Sequence, residues 1–270
     1  MSSDDLRIMF IVSRYETVFG SKLPILNLKE PNFSVNLIYA LKDWGFTYIT
    51  GHDVPLTTIE NAYRQSTKFF QLPLRVKRLI KADRNLALKT ARGYTMVHGE
   101  QLDVSPRGKP DIKEVLDIGY VDKTSGRNIS HYLGNNKWPK ITRQNSRTRG
   151  RRNADGEMVN VITEYTSHAS KLAKHLIKLT FEELGCPNEL DKTLGMDALQ
   201  VQRLTRYPPS NIAIQKEPGQ MGAGSHSDYG GITILSAKGS GLFVLKQNIT
   251  SENVVKGTFS DDLEVFSDNE

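Results

Sequence analysis

The 270-residue sequence has a single cysteine, Cys186, so no internal disulfide can form and nothing favours an oxidising compartment. No run approaches the roughly 18 apolar residues of a membrane span, and no membrane association is expected. The opening, MSSDDLRIMFIVSR, lacks a secretory signal's pattern. Asp4 and Asp5 precede an apolar run confined to residues 8–12, and no small-residue cleavage site follows. It is also too acidic for a mitochondrial presequence. A cytoplasmic protein is the expectation, and the glycosylation-like Asn128-Ile129-Ser130 and Asn248-Ile249-Thr250 then carry no weight. At 38% hydrophobic and 24% charged residues the chain supports a real core, which excludes a wholly disordered polypeptide.

The net charge of +6 points toward an anionic partner until its location is considered. Lys137, Lys140, Arg143, Arg147, Arg149, Arg151 and Arg152 fall in one stretch with no acid. The rest of the chain is therefore near neutrality. A solvated loop is the leading reading of residues 137–152, and an anion- or nucleic-acid-binding patch is the minority one.

Residues 24–28 alternate briefly and read as a short strand. Phe33, Leu37, Ile38, Leu41 and Trp44 keep helical spacing, and Gly45 ends the helix. Phe46, Tyr48 and Ile49 read as a strand closed by Gly51. Pro55 suits the first position of a helix whose apolar face carries Ile59, Ala62, Tyr63, Phe69 and Phe70. Residues 81–153 are poor in period and rich in turn residues. The clearest helix runs from Met158 to Leu184 and stops at Gly185. Short runs at 199–207, 212–216, 232–236 and 242–246 then alternate with Pro and Gly clusters, the pattern of an antiparallel sandwich or barrel. The expected class is α+β.

The segment GAGSHSDYGGITIL, residues 222–235, carries the chemistry. On a strand, His226 and Asp228 would share a face, so an imidazole nitrogen and a carboxylate oxygen could converge on one ion. That donor pair suits non-haem Fe(II), whose usual protein site is two His and one carboxylate. A lone His-x-Asp is more often a loop pair bonded to backbone.

Its surroundings change the weighting. Leu23-Pro24-Ile25, Lys42-Asp43-Trp44-Gly45-Phe46, Phe69-Phe70-Gln71-Leu72-Pro73, Arg92-Gly93-Tyr94-Thr95 and Asp111-Ile112-Lys113-Glu114 are followed by three further motifs. These are the run from Arg203 to Pro209, then His226-Ser227-Asp228-Tyr229-Gly230, then Gly241-Leu242-Phe243-Val244. Together and in this order they resemble the Fe(II)/2-oxoglutarate-dependent dioxygenases of the isopenicillin N synthase type. The resemblance implies a double-stranded β-helix (jelly roll) core, an N-terminal α/β region and a long central helix. It implies oxidation of a small organic substrate with Fe(II) and 2-oxoglutarate as cofactors. His226 and Asp228 would be the metal ligands, and Tyr207 would reach the 2-oxoglutarate. Thr205 stands where many relatives have Asn. Trp44, Phe46, Phe69, Phe70 and Tyr94 read as packing, Cys186 as a small buried hydrophobe, and the remaining histidines as surface or loop residues. The implied organisation is an N-terminal domain over 23–135, a basic loop over 136–154, a long helix over 155–185 and a jelly-roll part over 198–270.

The family's third ligand is a second His, followed by an Arg-x-Ser that grips the far carboxylate of 2-oxoglutarate through a planar guanidinium fork. The 42 residues after Asp228 contain neither His nor Arg. Gly257 to Asn269 resembles the block that precedes that second His. The expectation is a C-terminally truncated relative with an incomplete jelly roll, impaired in catalysis and low in stability. The alternative is a catalytically dead remnant or binding protein.

Overall fold

Left-handed glycines punctuate the front of the molecule. The computed structural model describes residues 8–11, 23–82, 92–120, 136–140, 154–189, 200–209, 220–224, 226–228, 231–238, 242–245 and 263–265. Gly45 (φ +68°) follows helix α1 (Phe33–Asp43), and Gly51 (φ +66°) follows strand β3 (Tyr48–Thr50). A side chain at Gly51 would run into Asn27, at the end of strand β2 (Ile25–Asn27). Only glycine allows both the backbone angle and this approach.

The chain divides into two compact units. The first comprises residues 1–54, 171–193 and 227–270. Its main sheet is parallel, in the order β2-β3-β1-β7, with β1 at Ile8–Ile11 and β7 at Ile232–Leu235. Leu23 and Tyr48 are buried there, and Trp44, Phe46, Leu235 and Leu242 pack against them. A second ladder pairs β8 (Phe243–Leu245) with β9 (Leu263–Val265), antiparallel.

The second unit comprises residues 55–170 and 194–226. It holds helix α2 (Leu56–Phe70), the short α3 (Leu74–Arg78) and an antiparallel sheet. That sheet runs β4 (Gly93–Thr95), β5 (Glu114–Tyr120), β6 (Gln200–Arg206). Phe69 stacks edge-on to Phe70 and Tyr94, with ring centroids 5.0 and 6.0 Å away, a favoured aromatic geometry. Helix α4 (Ala154–Glu183) crosses from one unit to the other within its length. Met158, Ile162, Tyr165, Leu172 and Leu176 are buried along it at intervals of three, four or seven residues. Gly185 (φ +73°) lies just beyond its end.

Several sequence expectations need correction. Pro55 is the residue before α2 and not its first helical residue. The stretch 81–153 contains β4 and β5, the latter central to its sheet. The back-half runs do not form a sandwich of their own among the described residues. β6 pairs with β5 from the front half and β7 runs parallel to β1, and the described strands close no barrel. Cys186 is half-buried and unpaired rather than buried. The run 212–216, the basic stretch from residue 141 to 152, and most of 257–269 lie outside the described residues.

Candidate metal centre

Three contacts anchor the segment that leads into the His-x-Asp motif. Gln220 donates its side-chain N–H to the Pro110 carbonyl at 2.7 Å. The Ile112 N–H donates to the Met221 carbonyl at 3.0 Å. The Gly224 N–H donates to Asp111 Oδ1 at 2.9 Å. A Cβ on Gly224 would sit 2.7 Å from Asp103, so the backbone there lies closer than any other residue permits. His226 ends the second unit, and its Nδ1 lies 2.7 Å from the Gly224 carbonyl oxygen. Since a carbonyl only accepts, Nδ1 carries the proton in the neutral ring and the lone pair resides on Nε2.

Asp228 belongs to the first unit, and its Oδ2 accepts from the Thr233 hydroxyl at 2.8 Å. Residues 226–228 are not in a strand; β7 begins only at Ile232. The His226 imidazole is instead bonded to a carbonyl two residues back, and the Gly230-Gly231 pair follows Asp228 in sequence.

The donor chemistry fits a ferrous ion in kind. One imidazole nitrogen and one carboxylate oxygen are ligands that Fe(II) accepts. Each already has an outer partner of the sort that orients metal ligands, a backbone carbonyl for the imidazole and a hydroxyl for the carboxylate. Among the described residues no group of three His, Cys, Asp or Glu side chains is gathered for a metal. Tyr207 follows β6 and is 57% exposed, so it is not the core aromatic that packing alone would make of it. Its ring covers Gly222, where a Cβ would come within 2.8 Å.

Of the other histidines, His52 is half-buried with Nδ1 enclosed and without a hydrogen-bond partner. Burial lowers its pKa and Asp53 opposes that shift. His98 takes a left-handed backbone angle of +62° in an exposed turn. His168 is half-buried and His175 exposed on α4; His131 lies outside the described residues.

Sequence reasoning missed a charged network on the antiparallel sheet. Glu114 is buried and accepts from Lys77 at 2.6 Å, Tyr94 at 2.6 Å and Arg206 at 2.7 Å. Burial pushes the Glu114 carboxyl up, but these three donors outweigh it and leave the pKa below the ordinary value. Burial, then the hydrogen bond and charge of Glu114, raise the Tyr94 phenol. Tyr94 is thus a polar partner as well as packing. Registers set by β5 and β6 place Asp117 opposite Arg203, whose guanidinium donates to both carboxylate oxygens at 2.7 and 2.9 Å. Arg92 is 5% exposed, with Nε and Nη2 enclosed and unpartnered. Burial pulls its pKa down and Asp117 opposes that shift. The signal for this network was the Asp111-Ile112-Lys113-Glu114 stretch itself, where charge interrupts an apolar run.

Residues 22–141 match the family described as non-haem dioxygenase in morphine synthesis, N-terminal. The 2-oxoglutarate-dependent dioxygenase thnC of Trichoderma harzianum is 26% identical over 79% of this chain and 63% of its own length. A homoarginine-6-hydroxylase of Oryza sativa is 29% identical over 73% of this chain and 55% of its own. The chain therefore spans under two thirds of the length of these relatives. Among solved structures, a full-length Neurospora crassa protein in complex with alpha-KG and thymine superimposes with a TM-score of 0.56 at 20% identity, over 77% of this chain and 62% of that one. A 2OG-Fe(II) oxygenase family protein from Caulobacter crescentus gives 0.55 at 18% identity, over 74% and 59%. No helix among the described residues is long and apolar enough to cross a membrane. In the ordered motifs from Leu23 to Val244, the matched N-terminal family and the fold, the chain is similar to the Fe(II)/2-oxoglutarate-dependent dioxygenases.

Proposed function

We propose that this protein is built for oxidation of a small organic molecule at a ferrous centre, with His226 and Asp228 as two of the protein ligands. The observation that carries this reading is the pairing of each donor with an outer partner: Gly224 carbonyl with His226 Nδ1 and Thr233 hydroxyl with Asp228 Oδ2. Fe(II) with 2-oxoglutarate, when bound, supplies the activation of dioxygen that no side chain can perform.

The chain's own residues bind and orient. His226 offers Nε2, because Nδ1 is committed to the backbone. Asp228 offers carboxylate charge held in one rotamer by Thr233. Tyr207, next to the end of β6, is the hydroxyl donor for the 2-oxoglutarate. We place these strands in an incomplete double-stranded β-helix, with a dioxygenase-type N-terminal domain over 23–135. The 42 residues after Asp228 offer no imidazole and no guanidinium. By itself this chain should accordingly hold iron more weakly than a three-donor site and turn over poorly. The names of the relatives, a homoarginine hydroxylase among them, favour a polar small-molecule substrate.

The test is anaerobic titration of the chain with Fe(II) and 2-oxoglutarate, followed by the visible metal-to-ligand charge-transfer band. A band in the wild-type chain that disappears in His226→Ala and in Asp228→Ala supports the reading. A band unchanged in both variants, or none at millimolar iron, overturns it.

A further inference from the structure

The Gly224 amide donates to one side chain, that of Asp111, across 113 residues of sequence. Asp111 is 1% exposed and stands just before β5, which is buried throughout from Glu114 to Gly119. Lys113 Nζ lies 3.1 Å from its second oxygen, Oδ2, so the carboxylate is not a lone charge in the interior. Neighbouring contacts at Gln220 and Met221 hold the same loop against residues 110–112. Gly224 is therefore gripped at its N–H while its carbonyl grips His226 Nδ1.

We propose that Asp111 is a positioning residue that, through the backbone of Gly224, fixes the tautomer and direction of the His226 imidazole. The consequence for iron rests on the reading of His226 as a ligand; the positioning itself does not. Asp111 aims the Gly224 carbonyl, that carbonyl selects the Nδ1–H form, and Nε2 is left as the coordinating nitrogen. An isolated neutral imidazole prefers the Nε2–H form, so the bond has an equilibrium to shift. Without the Asp111 acceptor, the Gly224 amide needs another partner and the loop rotates to find one.

The experiment is 15N NMR of the metal-free full chain at about pH 8, where an ordinary imidazole with a pKa near 6.5 is neutral. His226 is assigned by comparison with His226→Ala. The wild-type chain should show the Nδ1–H tautomer at His226 and slow exchange at the Gly224 amide. Asp111→Ala should revert to the Nε2–H tautomer and lose the slow exchange. Asp111→Asn keeps an acceptor oxygen and should preserve both signatures. Leu116→Ala, which loosens the sheet core without touching this loop, should preserve the tautomer. Mn(II) affinity, read by its paramagnetic broadening, should fall roughly 10- to 100-fold in Asp111→Ala. An Nε2–H tautomer in the wild-type chain overturns the proposal, as does an Nδ1–H tautomer that survives in Asp111→Ala. If Asp111→Ala does not fold, the wild-type signals and the asparagine variant decide. If the tautomer responds as stated while Mn(II) affinity is the same in His226→Ala and wild type, the metal reading fails and the positioning stands.

Discussion

Glu114 holds three donors on two carboxylate oxygens while almost completely enclosed. Its neutralisation by Lys77 and Arg206 is what makes that burial tolerable. Replacing Glu114 by alanine leaves the Lys77 ammonium buried beside two aromatic rings, and should cost about 3–5 kcal/mol in urea unfolding at neutral pH. Glu114→Gln should also destabilise at neutral pH, and here the pH sign is informative. The folded carboxyl titrates below its unfolded value of about 4.3, so its stabilisation is present above that pH and is lost as pH falls through the folded pKa. The stability gap between wild type and Glu114→Gln should therefore narrow on acidification; a gap that widens contradicts the network. Tyr94 acts at the other end. Its raised pKa means that unfolded chains ionise first above about pH 10, and the fold weakens there. Gly119 belongs to the same scale. A Cβ on it would stand 2.5 Å from Arg92 Nε, and that guanidinium is enclosed and cannot swing out freely. Gly119→Ala should cost about 1–3 kcal/mol by the same unfolding measurement, the typical penalty of overpacking.

Strand β5 explains what the sequence hid and what it displayed. The helices were legible because α1, α2 and α4 each carry apolar residues at 3.6-residue spacing and end near a glycine or a turn. β5 reads Glu-Val-Leu-Asp-Ile-Gly-Tyr, and the prolines and glycines in and around it, Pro110 and Gly119 among them, made the stretch look like turn material, while its acids broke the apolar alternation. Those acids are buried in pairs with Lys77, Arg206 and Arg203, partners 37 to 92 residues away, which no local pattern reveals. The parallel pairing of β1 with β7 was hidden for the same reason, since register between distant strands leaves no short-range mark. For the site, the motif order pointed to His226 and Asp228; the bond of the His226 ring to its own backbone, and the placement of 226–228 outside a strand, left no mark in the sequence. As the middle strand with both neighbours ordered, β5 should be the least forgiving element. Leu116, fully enclosed, should cost about 2–5 kcal/mol on truncation to alanine.

At the scale of the whole chain, protection should be uneven. β5 has hydrogen-bonded neighbours on both sides, whereas β8 and β9 form a ladder of two among the described residues. An isolated two-stranded ladder is marginal in water, and local opening follows low contact density. Native-state hydrogen exchange should find the slowest amides in β5 and the middle of α4, and the fastest strand amides in β8 and β9. Equal protection across all strands would argue against this division.

The parallel sheet also imposes a schedule. β1 lies between β3 and β7, and its partner Ile232 is encoded 224 residues after Ile8. At roughly 5–20 residues per second of synthesis, β1 waits on the order of 10–45 seconds for that neighbour. During that interval one flank of the nascent strand is open to any other extended chain. Slower translation would lengthen the hazard, and a chaperone that shelters the emerging strand would shorten it.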